Sequence, residues 1–208
     1  MIKTIKNEEE WLQERLKGIG ASEASSILGF YPWKSNQKLF HEKTSGIIEK
    51  INNAAIEYGK KAEQHIRELF KLDNKNSDIS YSEYDMHIND EYPFIFATLD
   101  GLINDDGVLE IKTTEIRNSL DWQKWDNKIP QNYYIQCLHQ LLATNRQYVI
   151  LYARIRYNSK DSIKYTERQF KINRRDVTDE LDYLLKKEIE FWQQVQNNQC
   201  PALILPEI

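Results

Sequence analysis

Residues 94–114 read FIFATLDGLINDDGVLEIKTT, and this stretch decides the fold. Two apolar, β-favouring runs, 94–103 and 108–113, flank the sequence NDDG at 104–107. An Asp-Gly step is a strong hairpin signal because glycine tolerates a positive φ. The stretch therefore predicts two antiparallel strands joined by a tight turn.

Ionisable side chains lie on both predicted strands. Side chains alternate between the faces of a strand, so Glu110 and Lys112 should share one face while Leu109 and Ile111 point into the core. Asp100 interrupts the first apolar run, where burial alone would favour valine or threonine. We therefore expect three ionisable groups to converge on one side of the hairpin.

These three side chains suit metal-assisted phosphodiester hydrolysis. Asp100 and Glu110 offer hard oxygen ligands of the kind that Mg²⁺ or Mn²⁺ prefers, and the Lys112 ammonium can hold a water or offset charge developing at phosphorus. The alternative, which the spacing alone favours, is a solvated strand face on which Glu and Lys simply alternate.

An Asp followed, after a turn, by Glu-x-Lys resembles the PD-(D/E)xK nuclease core, here Asp100 and then Glu110-Ile111-Lys112. Leu99 stands where that pattern usually has proline. The resemblance implies an α/β fold of the restriction-endonuclease-like type, in which a central mixed β-sheet is flanked by α-helices.

Length and composition favour one globular unit. The chain has 208 residues, of which 40% are hydrophobic and 29% charged, enough for one substantial core and a single domain over residues 1–208. No apolar run approaches the roughly 18 residues of a membrane span, and the first residues lack a signal peptide's apolar stretch, so we expect a cytoplasmic protein. Cys137 and Cys200 are too few for a disulfide framework or a four-cysteine metal site.

Charge is distributed unevenly along the chain. The formal net charge is −4, yet residues 111–175 hold 13 Lys and Arg against 5 Asp and Glu. A basic segment that begins at the candidate site is typical either of a phosphate-binding face or of ordinary solvated elements.

Periodicity and capping residues predict the other elements. Helices are predicted over 8–17, 36–44, 53–72, 117–126, 131–143 and 174–197, with Asn173 capping the last. Further strands are predicted over 79–88, 146–157 and 162–172, the last two joined by a turn at 158–161. This order favours a sheet flanked by helices.

Two of these segments carry polar groups with two interpretations each. Glu63 lies on an otherwise apolar side of the helix over 53–72, where it would need a partner such as a metal held by Asp100 and Glu110, unless it is a surface residue. Ser22 lies where a short helix begins within 18–29, which favours anion binding, although an ordinary capped loop has the same sequence pattern.

Several spaced blocks together resemble the YqaJ-type viral recombinases of the phage lambda exonuclease family. The blocks occur in the family's order at 15–23, 27–34, 59–63, 97–101, 109–113 and 134–136, with Asp90 preceding the fourth. They span about residues 15–144, and their joint occurrence is far more specific than any single motif.

Carried over position by position, the resemblance assigns site residues. It makes Asp100, Glu110 and the Ile111 carbonyl ligands of Mg²⁺, for which Mn²⁺ would substitute, with Glu63 reaching the metal site from its helix. Lys112 and Gln136 would position and activate the attacking water, and Asp90 would be an additional acidic residue of the site. Arg15, Ser22 and Thr98 correspond to a pocket for a terminal 5′ phosphate.

The function implied by the resemblance is a Mg²⁺-dependent exonuclease of phage or prophage origin acting in a bacterial cell. It would degrade one strand of linear double-stranded DNA from 5′ to 3′ and leave 3′ overhangs for recombination by single-strand annealing. The family also implies a homotrimeric ring and an annealing protein as partner.

Two alternatives stay open. Another PD-(D/E)xK DNA nuclease, an endonuclease or a Cas4-like protein, would share the core, although the chain lacks the four cysteines of the iron–sulfur Cas4 type. A non-catalytic DNA-binding module is the other, against which the presence of Asp100, Glu110 and Lys112 counts.

Overall fold

The computed structural model describes residues 1–48, 53–159 and 162–205. The helices are α1 (Glu8–Arg15), α2 (Ala24–Ile27), α3 (Asn36–Ser45), α4 (Ala54–Asp73), α5 (Ser119–Gln123), α6 (Gln131–Thr144) and α7 (Thr178–Gln196), with 3₁₀ turns at Ala21–Glu23 and Arg174–Asp176. The strands are β1 (Ile2–Lys3), β2 (Ile19–Gly20), β3 (Ile79–Ser80), β4 (Met86–Ile88), β5 (Ile95–Ala97), β6 (Gly101–Ile103), β7 (Gly107–Ile116), β8 (Tyr148–Ser159) and β9 (Ser162–Asn173). None of the helices in these ranges has the length and apolarity needed to cross a membrane.

The strands form two mixed sheets. One has the order β3-β6-β7-β8-β9, and the other has the order β1-β4-β5-β2. In the first sheet β7 pairs antiparallel with β6 and parallel with β8, and helix α6 lies in the connection between β7 and β8. The predicted mixed α/β fold is confirmed: the five-stranded sheet that contains β7 is mixed, and a second, four-stranded mixed sheet accompanies it.

The predicted central hairpin is present as β6 and β7. Gly101 pairs with Leu109 and Ile103 with Gly107, while Asn104 takes the positive φ of 48° that closes the turn. The first apolar run, however, is not one strand. Its first part, β5, pairs with β4 in the four-stranded sheet. The strand breaks at residues 98–100, and the run continues as β6 in the five-stranded sheet. Thr98 and Asp100 fall within the first predicted strand, but in the structure both lie in this break.

The predicted strand over 79–88 is divided for the same reason. Its ends form β3, which pairs with β6, and β4, which pairs with β5, so the chain changes sheets across the polar residues 81–85. Helix predictions fare better, because caps are local: Ser35 and Asn53 accept backbone N–H groups at the starts of α3 and α4.

Two helix predictions need correction. The helix predicted over 117–126 is shortened to α5, which ends at Gln123. The last helix begins at Thr178 after a 3₁₀ turn, and the Asn173 side chain binds Asp176 at 2.8 Å instead of capping that helix. The hairpin of β8 and β9 is confirmed, although Lys160 and Asp161 of its predicted turn lie outside the described residues.

Strand β7 is covered on both faces. Val108 packs with α6 residues such as Leu138 in one core cluster, and Leu109 and Ile111 pack with Ile66 of α4 in another. Because both faces are buried, Glu110 is only 2% exposed. The solvated-face alternative is therefore wrong, and the charge of a buried carboxylate has to be compensated within the protein.

Helix α6 is tied to α7 by a buried polar contact. His139 Nδ1 lies 2.6 Å from Glu188 Oε1, and His139 Nε2 lies 2.9 Å from the Phe96 carbonyl oxygen. Both ring nitrogens face acceptors, so the imidazolium form satisfies both contacts. Burial lowers the pKa of His139, but Glu188 and the Phe96 carbonyl outweigh burial and raise it above its ordinary value.

We predict that this contact makes stability depend on pH. Because the pKa of His139 is raised on folding, its stabilisation is complete below the unfolded value of about 6.5 and is lost as pH rises through the folded value. His139→Gln should lower the free energy of unfolding by about 3–5 kcal/mol at pH 6 and by less at pH 9, as measured by urea denaturation. The exposed His65 provides the control His65→Gln, and an equal loss for His139→Gln at both pH values would contradict the assignment.

Candidate active site

Asp100 and Glu110 meet where β5 gives way to β6. Asp100 precedes Gly101, which pairs with Leu109 of β7, and this register sets Asp100 beside the next residues of that strand. Its Oδ2 accepts a hydrogen bond from the Ile111 backbone N–H at 2.7 Å. The strand break thus aims the Asp100 carboxylate across the sheet toward Glu110.

Both oxygens of the Glu110 carboxylate are held by donors. Lys112 Nζ and Gln136 Nε2 lie 2.5 and 2.6 Å from Oε1, and Gln140 Nε2 donates to Oε2. Gln136 and Gln140 are one turn apart on α6, so that helix presents two amides to one carboxylate. Gln140 was not predicted, although its four-residue spacing from Gln136 is a signal that could have found it.

Glu63 reaches the same group from α4 with Arg67 beside it. Arg67 Nη2 lies 2.5 Å from Glu63 Oε1, and Arg67 Nε donates to the Asp100 carbonyl oxygen at 2.5 Å. The guanidinium also stacks 3.4 Å from the ring centroid of Tyr81. Arg67 therefore fixes both Glu63 and the Asp100 backbone, a role that the sequence did not predict.

Burial and nearby negative charge raise the pKa values of Asp100 and Glu63. Burial raises the pKa of Asp100 well above its usual value, and the negative charges of Glu110 and Glu63 raise it further. The pKa of Glu63 is also raised, first by burial and then by Glu110, against the opposing effect of Arg67. Burial lowers the pKa of Lys112, but Glu110 and Asp100 outweigh it, so that pKa is raised.

The donor set fits a hard divalent cation. Asp100, Glu110 and Glu63 contribute oxygen atoms alone, and burial together with neighbouring carboxylates raises the pKa values of Asp100 and Glu63, as is expected where acidic groups are clustered. Within the described residues, however, no three His, Cys, Asp or Glu side chains already stand in the arrangement of a metal site. In the structure Glu110 is held by Lys112 and the two amides of α6 instead.

One cavity of about 560 Å³ brings nearly all the predicted residues together. They are Arg15, Ser22, Glu63, Thr98, Asp100, Glu110, Ile111, Lys112 and Gln136, all of which line it. Asp90 is not among the lining residues. Its side chain is 86% exposed, and its carboxylate lies 2.6 Å from the Met1 amino group. The placement of Asp90 in the site is therefore corrected: it follows β4, on the surface of the other sheet.

The predicted anion-binding residues are built around a buried carboxylate, Glu23. Arg15 Nη2 lies 2.8 Å from Glu23 Oε1 and 3.4 Å from Ser22 Oγ. Glu23 Oε2 accepts hydrogen bonds from Lys43 Nζ at 2.7 Å and from the Gly20 N–H at 2.9 Å. Burial alone would raise the pKa of Glu23, but Lys43 and Arg15 hold it well below its usual value.

Neither Glu23 nor Lys43 was predicted as part of the site. Their contact joins the 3₁₀ turn to α3, twenty residues apart, and no local periodicity indicates such a pairing. Ser22 lies within that turn and not at the first residue of an α-helix, so the anion-binding geometry differs in detail from the prediction.

Comparison with known proteins identifies relatives of this chain. Residues 10–147 match the sequence model of the YqaJ-like viral recombinase domain. The protein YqaJ of Bacillus subtilis (strain 168) is 33% identical over 199 residues, which cover 94% of this chain. The chain spans 59% of the length of that relative.

Solved structures share the fold at low sequence identity. An alkaline exonuclease from Laribacter hongkongensis is 18% identical with a TM-score of 0.69, covering 92% of this chain and 94% of that one. A phage-related exonuclease from Haemophilus somnus 129PT is 11% identical with a TM-score of 0.57, covering 87% of this chain and 96% of that one.

We predict that Glu23 is essential for the stability of the fold because its carboxylate balances the buried ammonium of Lys43. Glu23→Gln should lower the free energy of unfolding by about 3–5 kcal/mol, since Lys43, with a side chain only 1% exposed, would lose its buried carboxylate partner. Combining it with Lys43→Met should recover part of the loss. Urea denaturation measures both, with the exposed Glu190→Gln as control. A loss below about 1 kcal/mol for Glu23→Gln would contradict this charge balance.

Proposed function

The chain belongs to the YqaJ-like viral recombinase domain family, and from that premise we propose that it is a metal-dependent deoxyribonuclease. It degrades one strand of linear double-stranded DNA from the 5′ end and leaves a 3′ overhang for recombination by single-strand annealing. The observation that carries the proposal is that one cavity is lined both by an acidic group, Asp100, Glu110 and Glu63, and by a cationic group, Arg15 with the Ser22 and Thr98 hydroxyls.

The acidic group supplies the hydrolytic chemistry. Asp100, Glu110 and the Ile111 carbonyl would hold Mg²⁺ or Mn²⁺ with Glu63 beside them, and the ion would contribute Lewis-acid activation of the phosphodiester and of the attacking water. Lys112 offsets the negative charge that grows on the phosphate in the transition state.

Helix α6 orients the nucleophile in this proposal. Gln136 Nε2 donates to Glu110 Oε1 at 2.6 Å, which fixes the amide plane, and the amide oxygen is then free to accept a hydrogen bond from the attacking water. A water held between an amide and the Lys112 ammonium is positioned before the reaction, and this lowers the entropic part of the barrier.

The cationic group selects the strand end. A guanidinium forms charge-assisted bonds to phosphate, and the Ser22 and Thr98 hydroxyls add donors to the Arg15 group. Because these residues line the same cavity as Asp100, a terminal phosphate bound there leaves a neighbouring linkage within reach of the carboxylates. Geometry of this kind supports attack at an end over attack within a duplex.

The names of the structural neighbours support the same class of reaction. Those proteins are described as exonucleases, and one structure of the Laribacter hongkongensis enzyme is a complex with dAMP. At sequence identities of 20% or less, the likeness to these proteins shows a shared fold, and their activity supports the proposal made here. The homotrimeric ring and the single-strand annealing partner rest on the family resemblance.

Activity should require Mg²⁺ or Mn²⁺ and both central carboxylates. Asp100→Asn and Glu110→Gln keep the side-chain shape but remove a charged ligand, so each should reduce hydrolysis of linear duplex DNA by at least about 10³-fold while the protein stays folded. Zn²⁺ should substitute poorly for an all-oxygen donor set. Initial rates with graded metal, together with circular dichroism of each variant, test this. Full hydrolysis in excess EDTA, or a wild-type rate in either variant, would refute it.

The end preference should depend on Arg15. A duplex with 5′ phosphates should be degraded at least about tenfold faster than the same duplex with 5′ hydroxyls, because only the former occupies the cationic group. Arg15→Ala should remove most of this ratio and change the slow rate on hydroxyl ends little. Initial rates on both duplexes measure the ratio, and Arg168→Ala on the exposed strand β9 is the control. An undiminished phosphate preference in Arg15→Ala would show that another group binds the end.

A further inference from the structure

The cavity has an aromatic side that the proposed hydrolysis does not use. Tyr31, Trp33 and Tyr133 line it together with the carboxylates. Trp33 is 66% exposed, which is unusual because large aromatic side chains generally contribute their area to cores and interfaces. A tryptophan that lines the cavity and is also largely exposed offers ring surface to a ligand.

These rings lead from the reacting group toward the exposed edge. Lys112 Nζ lies 5.1 Å from the ring centroid of Tyr133, and the Tyr31 and Trp33 rings meet edge to face at 5.4 Å. Tyr31 is half-buried, and all three rings line the same cavity as Lys112. We call Tyr133, Tyr31 and Trp33 together the aromatic wall.

The turn that carries Trp33 is fixed at its base. Lys34 Nζ lies 2.5 Å from Glu42 Oε2, and both side chains are largely buried. Ser35 then caps α3 by accepting the Lys38 N–H at 3.2 Å. Because the turn is already ordered, a ligand stacking on Trp33 would lose little conformational entropy of the protein.

We propose that Trp33 is a stacking platform for the nucleobase at the DNA end, with Tyr31 filling the wall between that base and the reacting group. This inference rests on the proposed function. Each nucleobase presents a π-face, so stacking holds a nucleotide without reading its sequence, as an enzyme that degrades any duplex requires. The cationic group would bind the terminal phosphate, and the ion that the carboxylates would hold would act on the neighbouring one, so the aromatic wall supplies the matching site for a base.

Binding of a modified DNA end tests the platform directly. Fluorescence anisotropy in EDTA, where no hydrolysis is expected, compares two 5′-phosphorylated duplexes that differ only in whether the 5′-terminal residues carry a base or are abasic. Wild-type protein should bind the intact duplex about tenfold more tightly. Trp33→Ala should weaken binding of the intact duplex to the abasic level and leave abasic binding unchanged. Trp33→Phe should retain most of the difference.

Tyr183→Ala is the matched control, because Tyr183 is 56% exposed on α7 and does not line the cavity. Equal binding of both duplexes by the wild type, or an equal loss on both for Trp33→Ala, would overturn the platform. A change in molar mass by light scattering for Trp33→Ala, with the difference between duplexes unchanged, would also overturn it and assign Trp33 to contact between copies of the chain.

Hydrolysis is measured separately on the same duplexes with Mg²⁺. A protein that distinguishes the abasic end but never cleaves DNA would refute the proposed function and keep the platform. A protein that cleaves DNA but binds the intact and abasic duplexes equally would refute the platform and keep the proposed function.

Discussion

The buried carboxylate of Glu110 is the constraint on which the rest of the structure depends. It lies on a strand covered by helices on both faces, where an unpaired charge would be strongly destabilising. Lys112, Gln136 and Gln140 satisfy it, and this requirement fixes the position of α6 against β7. Helix α6 also pairs with a second buried carboxylate, because His139 contacts Glu188 of α7.

The same principle organises the other functional groups. Arg67 holds Glu63 and the Asp100 backbone, and Glu23 holds Arg15 together with Lys43. In each case a group that faces the cavity is oriented by a buried group of opposite charge behind it. Preorganisation of this kind is what a site needs if charge is to be stabilised without rearrangement of the protein during reaction.

How far the sequence predicts this molecule depends on the range of each interaction. The polar turn at 104–107, which Asn104 and not Gly107 closes with a positive φ, and the caps at Ser35 and Asn53 act within a few residues. The hairpin and helices α3 and α4 could therefore be predicted. The strand breaks at 81–85 and 98–100 could not, because they are imposed when the chain changes sheets. Asp100, Glu110 and Lys112 could be proposed from the interrupted apolar run and the family resemblance, and all three line the cavity of the candidate site. Arg67, Glu23 and Lys43 were missed because their roles arise from contacts between elements, and Asp90 was misplaced because a position in a motif block does not reveal the direction of a side chain.

The central claim is that these charges form a metal-activated centre that acts from a DNA end. The most direct measurement incubates the protein and Mg²⁺ with a linear 5′-phosphorylated duplex and with a covalently closed circle of the same sequence, each with and without EDTA. The account predicts that the linear duplex loses one strand progressively from each 5′ end while the circle stays intact and EDTA stops the reaction. Nicking of the circle would contradict it in favour of an endonuclease, and binding of both DNAs without any cleavage would contradict it in favour of a non-catalytic module.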